Sequence, residues 1–168
     1  MPEPLQPDCL FAALADAGVN YVLIGGLAAV LHGSTAMTND ADIVPSMTRD
    51  NLERLSTALT DLDARIRSES EPDGVVFDPH PDLLASMAML NLTTRCGNLD
   101  VAVQPTGTAG YDGLVARATS FHIGALDVPV AALADIIRSK EAANRPKDRA
   151  TLPILYALEV EIARQSDG

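Results

Sequence analysis

Asp40 and Asp42 stand two residues apart in the run DADIVP, whose other members give it strand character. Side chains alternate between the faces of a strand, so both carboxylates are expected on one face while Ala41 and Ile43 point into the core. Like charges that close repel one another, and a divalent cation between them is the usual remedy. A D-x-D pair alone is a weak signal, because acidic pairs are common in surface loops. Asp100 strengthens it. That residue lies in NLDVAV between Leu99 and Val101, and Asp is depleted in strands unless a partner compensates it. If the two runs are neighbouring strands, three carboxylates converge, as phosphoryl transfer with paired metal ions about 3.5–4 Å apart requires. The plainer alternative leaves Asp100 at a sheet edge in water.

Gly25 and Gly26 follow the β-rich run YVLI and open the helix-like LAAVLH. Glycines at such a turn let backbone approach a phosphate, and a helix N-terminus adds amide donors and positive dipole. No third glycine and no GK[ST] follows, so this is neither a dinucleotide-binding fingerprint nor a Walker A loop. Ser34 and Thr35 precede the DAD run and could touch phosphate, although a loop hydroxyl is more often a turn former. Lys140 continues an apolar stripe of Leu133, Ile136 and Ile137 at helical spacing, so it must either reach out to water or face an anion. Arg145, Lys147 and Asp148 cluster behind it around Pro146. With Lys140 and Arg149, they gather a third of the chain's twelve basic residues into one short stretch.

The elements that must position these groups are short and mixed. The pattern predicts helices at 9–17, 27–32, 48–62 (capped by Thr48), 81–87, 110–117, 131–143 and from Pro146 to about 164. It predicts strands at 21–24, 40–45, in ARIRS, at 88–94 and 98–103 around a Cys96-Gly97 turn, in SFHI and in LDV. Residues 1–8, with three prolines, read as a loose lead-in. Strands interleaved with helices of several lengths make an α/β or α+β domain with a mixed β-sheet flanked by helices. The 168 residues suit a single domain, 1–168, able to bury roughly 70% of its extended surface.

Composition narrows the partners. Twelve basic residues face 23 acidic ones, a net charge of −11, which repels phosphate backbones and argues against binding duplex DNA along its length. No apolar run approaches the ~20 residues of a membrane span, and no basic leader opens the chain. Cys9 and Cys96 form no CxxC pair and are expected as free thiols in a reducing, cytoplasmic setting. His32, His80 and His122 show no ligand spacing and are expected to be structural or on the surface. Asp61, Asp63, Glu69 and Glu71 are expected on a solvated face.

An apolar residue, Gly25-Gly26, thirteen further residues, D-A-D-I and a later Asp100 together resemble the signature of the polymerase-β-like nucleotidyltransferase superfamily. The run YVLIGGLAAVLHGSTAMTNDADIV and the stretch SKEAANRPKDRATLPIL resemble the AbiEii/MenT-type nucleotidyltransferase toxins of bacterial toxin–antitoxin systems. The likeness covers about residues 18–158. It implies the polymerase-β-like nucleotidyltransferase fold and an enzyme that moves an NMP from an NTP (ATP among them) to an acceptor hydroxyl. Asp40, Asp42 and Asp100 are then the metal ligands for Mg2+ (or Mn2+) and, with Lys140, the catalytic set. Gly25, Gly26, Ser34, Lys140, Arg145, Lys147 and Asp148 are then the nucleotide side. It also implies a tRNA 3′ end as acceptor, hence tRNA modification, and a cognate antitoxin protein as partner. A protein or a small molecule such as an antibiotic is the alternative acceptor. A non-catalytic interaction module that keeps the fold is the reading from another class.

Overall fold

The structure, a computed structural model, describes residues 3–167. Along the chain run α1 (Pro7–Ala17), β1 (Tyr21–Ile24), α2 (Gly25–His32), β2 (Asp40–Pro45), α3 (Arg49–Asp61), β3 (Arg65–Ile66), α4 (Pro81–Ser86), β4 (Met89–Thr94), β5 (Gly97–Ala102), α5 (Tyr111–Val115), β6 (Thr119–Ile123), β7 (Leu126–Val130), α6 (Leu133–Ala143) and α7 (Pro146–Ser166). The strands form one mixed sheet in the order β3-β4-β5-β2-β1-β7-β6. The β1–β7 and β2–β5 pairs are parallel and the rest antiparallel.

Local chemistry accounts for the boundaries. Gly18 ends α1 in the left-handed conformation, with its N–H turned back onto Ala15 and Leu14. The Thr48 side chain caps α3 by accepting from the Asn51 N–H at 3.3 Å, and His80 caps α4 through Nδ1 at 3.1 Å from the Asp82 N–H. The β4–β5 hairpin turns through Arg95-Cys96, one residue earlier than the sequence suggested, because Gly97 with φ 109° already begins the return strand.

One face of the sheet is the core face. Leu23 pairs with Ile43, Ala41 with Leu99, Ile43 with Val101, and Leu90 and Leu92 continue the face across β4. These side chains are buried together with Leu10, Phe11 and Leu14 of α1 and Leu52, Leu55 and Leu59 of α3. Phe11 stacks on Tyr21 at 6.1 Å between ring centroids, which joins α1 to β1. Burial of this many aliphatic side chains, each worth about 1.5–3 kcal/mol, suffices without a large aromatic core. The opposite face carries Asp40, Asp42, Asn98 and Asp100, and across β4 it is open: Met89 and Asn91 are exposed where Leu90 and Leu92 are buried.

Two expectations change. The stretch before the first helix is not loose within the described residues. Helix α1 begins at Pro7, the Gln6 N–H donates to the Cys96 carbonyl at 2.8 Å, and Leu5 lies against Gly97. Residues 1–2 lie outside the described residues. The two cysteines are not free thiols: Cys9 and Cys96 form a disulfide, their Cα atoms 5.7 Å apart. Spacing along the chain could not reveal this, because 87 residues separate them and only the packing of α1 against the hairpin turn brings them together. The bond removes cysteine usage as an argument for a reducing compartment. Among the described residues no helix is long and apolar enough to cross a membrane.

A cross-link closing a loop of that length stabilises by about 2–4 kcal/mol. Reduction with dithiothreitol should therefore lower the melting temperature by roughly 4–16 °C, at about 2–4 °C per kcal/mol for a domain of this size. Calorimetry with and without reductant, alongside Cys9→Ala, checks this. Equal transitions in all three would show that the bond contributes nothing.

Candidate nucleotidyl-transfer site

The parallel pairing of β2 with β5 sets Asp42 opposite Asp100 and Asp40 opposite Asn98. On its other side Asp42 faces Ile24, the last residue of β1, so the chain turns into α2 directly beside that carboxylate. The turn demands glycine. Gly25 has φ 75°, and a Cβ there would stand 2.8 Å from Asp42 Cγ. A Cβ on Gly26 would stand 2.9 Å from Thr38 Oγ1. The two glycines thus allow the helix start and the loop before β2 to close around Asp42. Ile24, at the N-cap, offers no side-chain cap, which leaves the first-turn amides of α2 to other acceptors.

The carboxylates strain one another. Burial, then the charge of Asp100 and a hydrogen bond with it, then the charge of Asp40, push Asp42 up to about 7, against a small pull from Lys147. Asp100 is raised as well, by burial first, with Arg67 opposing. Arg67 NH2 stands 3.1 Å from Asp100 Oδ1, yet without hydrogen-bond alignment, so that buried oxygen has no donor. Among the described residues no three His, Cys, Asp or Glu side chains form a ready metal cage. The donor set nevertheless fits a hard divalent cation. Oxygen ligands are what Mg2+ and Mn2+ take, and a cation here would relieve both the raised Asp42 and the orphaned oxygen of Asp100.

The basic cluster is arranged differently from the simplest expectation. Asp148 is fully buried and acts as its hub. Arg145 donates to it from its backbone N–H at 3.1 Å, from Nε at 2.7 Å and from NH2 at 3.2 Å, which caps α7, and Lys140 Nζ lies 3.5 Å away. Burial raises Asp148, but Arg145 and Lys140 outweigh it and hold the carboxyl below its ordinary range. Asp148 thus organises the cations and joins no carboxylate of the sheet. Lys140 is only 14% exposed and is already paired. Arg145 and Lys147 lie within Coulombic reach of Asp42, since Lys147 lowers that carboxyl while Asp42 raises Arg145. Ser34 is buried and accepts from the Ala36 N–H at 3.1 Å, the turn-forming role rather than a free hydroxyl.

The structure thus brings together Asp40, Asp42, Asp100, the Gly25-Gly26 turn, Arg145 and Lys147. Sequence reasoning missed Arg67, Asn98 and Thr38. Arg67 carried a readable signal: in R-I-R the two arginines share the strand face opposite Ile66, an unusual place for two cations unless anions lie beside them. His32 is structural, its Nε2 2.8 Å from the Ala131 carbonyl and its ring edge-on to Phe121, while His80 caps α4 and His122 lies exposed on the surface.

A carboxyl raised on folding costs stability once it ionises. Between its unfolded pKa near 4 and about 7, folded Asp42 keeps a proton that the unfolded chain has lost, so stability falls as pH rises through that window. The melting temperature of metal-free protein should decline from pH 5 to 7.5, Mg2+ should reverse the decline at pH 7.5, and Asp42→Asn should flatten it. Parallel curves for parent and variant would refute the assignment.

No family model matches the sequence, and no curated protein matches it. Among solved structures the chain is similar to lincosamide antibiotic adenylyltransferase LnuA in its lincomycin-bound crystal structure, with a TM-score of 0.59 and 15% identity over 93% of this chain and 99% of that one. At that identity the likeness is one of fold. It extends over nearly the whole of both chains, so this chain shares the overall fold of that adenylyltransferase.

Proposed function

We propose that the chain transfers a nucleoside monophosphate from an NTP to an acceptor hydroxyl. The observation that carries this reading is the in-register placement of Asp42 beside Asp100, with an uncapped helix N-terminus starting one residue from Asp42's strand partner. The amides of the Gly25-Gly26 turn receive phosphate oxygens, and Lys147 and Arg145 offset the charge of the triphosphate. Asp40 and Asp42, with Asp100 as third ligand, would hold Mg2+ or Mn2+, which would supply charge neutralisation at the phosphates. Asp100 takes the hydroxyl proton as that oxygen bonds to the α-phosphorus, and the α–β phosphoanhydride bond breaks to release pyrophosphate. Lys140 acts through Asp148, steadying the hub that aims Arg145.

The tRNA 3′ end as acceptor, with a cognate antitoxin as partner, rests on resemblance to the toxin group. A small hydroxylated molecule is favoured by two observations. The solved neighbour is an antibiotic adenylyltransferase holding lincomycin. The loop beside β3 carries exposed Glu69, Glu71, Asp73 and Asp78, which repel a polyanion approaching the open sheet face. A non-catalytic module would have no use for carboxylates held at this electrostatic cost.

The test is incubation with each α-labelled NTP, Mg2+ and, in separate reactions, total tRNA, bacterial protein extract, and a panel of aminoglycoside and lincosamide compounds. The parent should label one acceptor class, and Asp40→Ala and Asp42→Ala should reduce labelling by at least about a hundredfold, the upper end of what losing even a partner that orients a metal ligand costs. Label on RNA establishes the tRNA reading, and label on a small molecule the second. No label anywhere, with no NTP raising the melting temperature, leaves the interaction module.

A further inference from the structure

Arg67 follows β3, and its backbone N–H donates to the Asn91 carbonyl at 2.9 Å, which fixes its place on the sheet. From there its side chain reaches across β4 to Asp100, the residue paired with Asn91 on β5. NH2 donates to the Leu92 carbonyl at 2.9 Å and stands 3.1 Å from Asp100 Oδ1 without alignment, while Nε is buried and has no partner. Two buried carboxylates of this protein are held by two-pronged forks. Arg117 donates to Asp135 from Nε at 3.0 Å and NH2 at 2.9 Å, and Arg145 grips Asp148 in the same way. The Arg67–Asp100 contact is not such a fork: the buried Nε is unused, and Asp100 Oδ1 lacks a donor. A buried donor and a buried acceptor left unmade are both costly, so the resting contact is a weak one that a better cation can replace.

We propose that Arg67 is an exchangeable counter-cation for Asp100. It neutralises that carboxylate before metal arrives and yields it to a divalent cation. The released guanidinium then faces the open, polar side of β4 beside exposed Asn91, where it helps seat the acceptor. This makes Arg67 a positioning residue for the transfer proposed above, and the inference rests on that reading.

Mn2+ titration followed by electron paramagnetic resonance, without nucleotide, tests the exchange directly. Arg67→Gln removes the competitor and should bind Mn2+ roughly tenfold more tightly than the parent, the scale of one charge-assisted hydrogen bond. Arg67→Lys, which keeps the charge, should stay near the parent. Equal or weaker Mn2+ binding by Arg67→Gln overturns the proposal. If Arg67→Gln does not fold, the parent decides by NMR: the Arg67 Nε resonance, assigned by its loss in Arg67→Lys, should move with Mg2+ at the midpoint of metal binding, and an unmoved signal overturns the exchange. Asp42→Ala separates the two ideas. If it abolishes Mn2+ binding while Arg67 proves inert, only the exchange fails; if the parent binds no Mn2+, the exchange and the functional reading fall together.

Discussion

The in-register parallel pairing of β2 with β5 sets two carboxylates side by side on a half-buried sheet face, and the surrounding structure responds to that concentration of negative charge. Asp42 carries the larger burden because it is the more enclosed, with β1 and the Gly25 turn on one side and β5 on the other. A protein has few ways to tolerate such a pair: keep a proton, recruit a cation, or let water in. Here burial and the neighbouring acids push Asp42 up to about 7, while the charges of Arg67, Arg145 and Lys147 reach it or its neighbour. The glycines belong to the same constraint, because any side chain at Gly25 would push the carboxylate away from the face where it works.

The basic residues are organised by a second carboxylate of opposite character. Asp148 is buried, but it receives several donors and is held ionised, whereas Asp42 is buried among acids and is driven toward its neutral form. The two groups have the same chemistry and opposite roles, set by what surrounds them. Asp148 fixes Arg145 and Lys140 in place and so determines which cations can lean toward the sheet. Arg145 is anchored and still exposed, Lys147 is unanchored and exposed, and Lys140 is largely enclosed. On the proposed reading a triphosphate at the helix N-terminus would meet the exposed Arg145 and Lys147 before the enclosed Lys140.

The sequence made the strands of the site legible because their patterns are local. DADIVP alternates, NLDVAV alternates, and Gly25-Gly26 punctuates a strand and a helix, so β1, β2 and β5 stand where the residues put them. What sequence could not carry was the pairing. Nothing local in either run says that Asp42 lies beside Asp100 rather than one register step away, and a step of one residue would have sent Asp100 to the core face. The Cys9–Cys96 bond was invisible for the same reason, since it depends on α1 docking against a turn 87 residues away. Asp148 was ambiguous because a carboxylate in a first helical turn satisfies the helix equally well whether it caps, binds metal or collects cations. Burial decides among these, and burial is not written in a surface-like run such as RPKDR.

Sharing a fold at 15% identity with an adenylyltransferase is intelligible on these terms. A fold is held by the order and apolar pattern of its elements, and on that frame sit a turn with no side chain beside the acidic strand and two carboxylates in register. The core that supports them is aliphatic, and aliphatic cores tolerate exchange as long as volume and pattern are kept. On the proposed reading the acceptor side is the exposed face of β4 with acidic residues along the adjoining loop, and a net charge of −11 extends the same bias over the whole surface. Affinity for an acceptor would then come from close polar contacts at the sheet, not from long-range attraction, which suits the compact, hydroxylated ligand of that reading better than a nucleic-acid backbone.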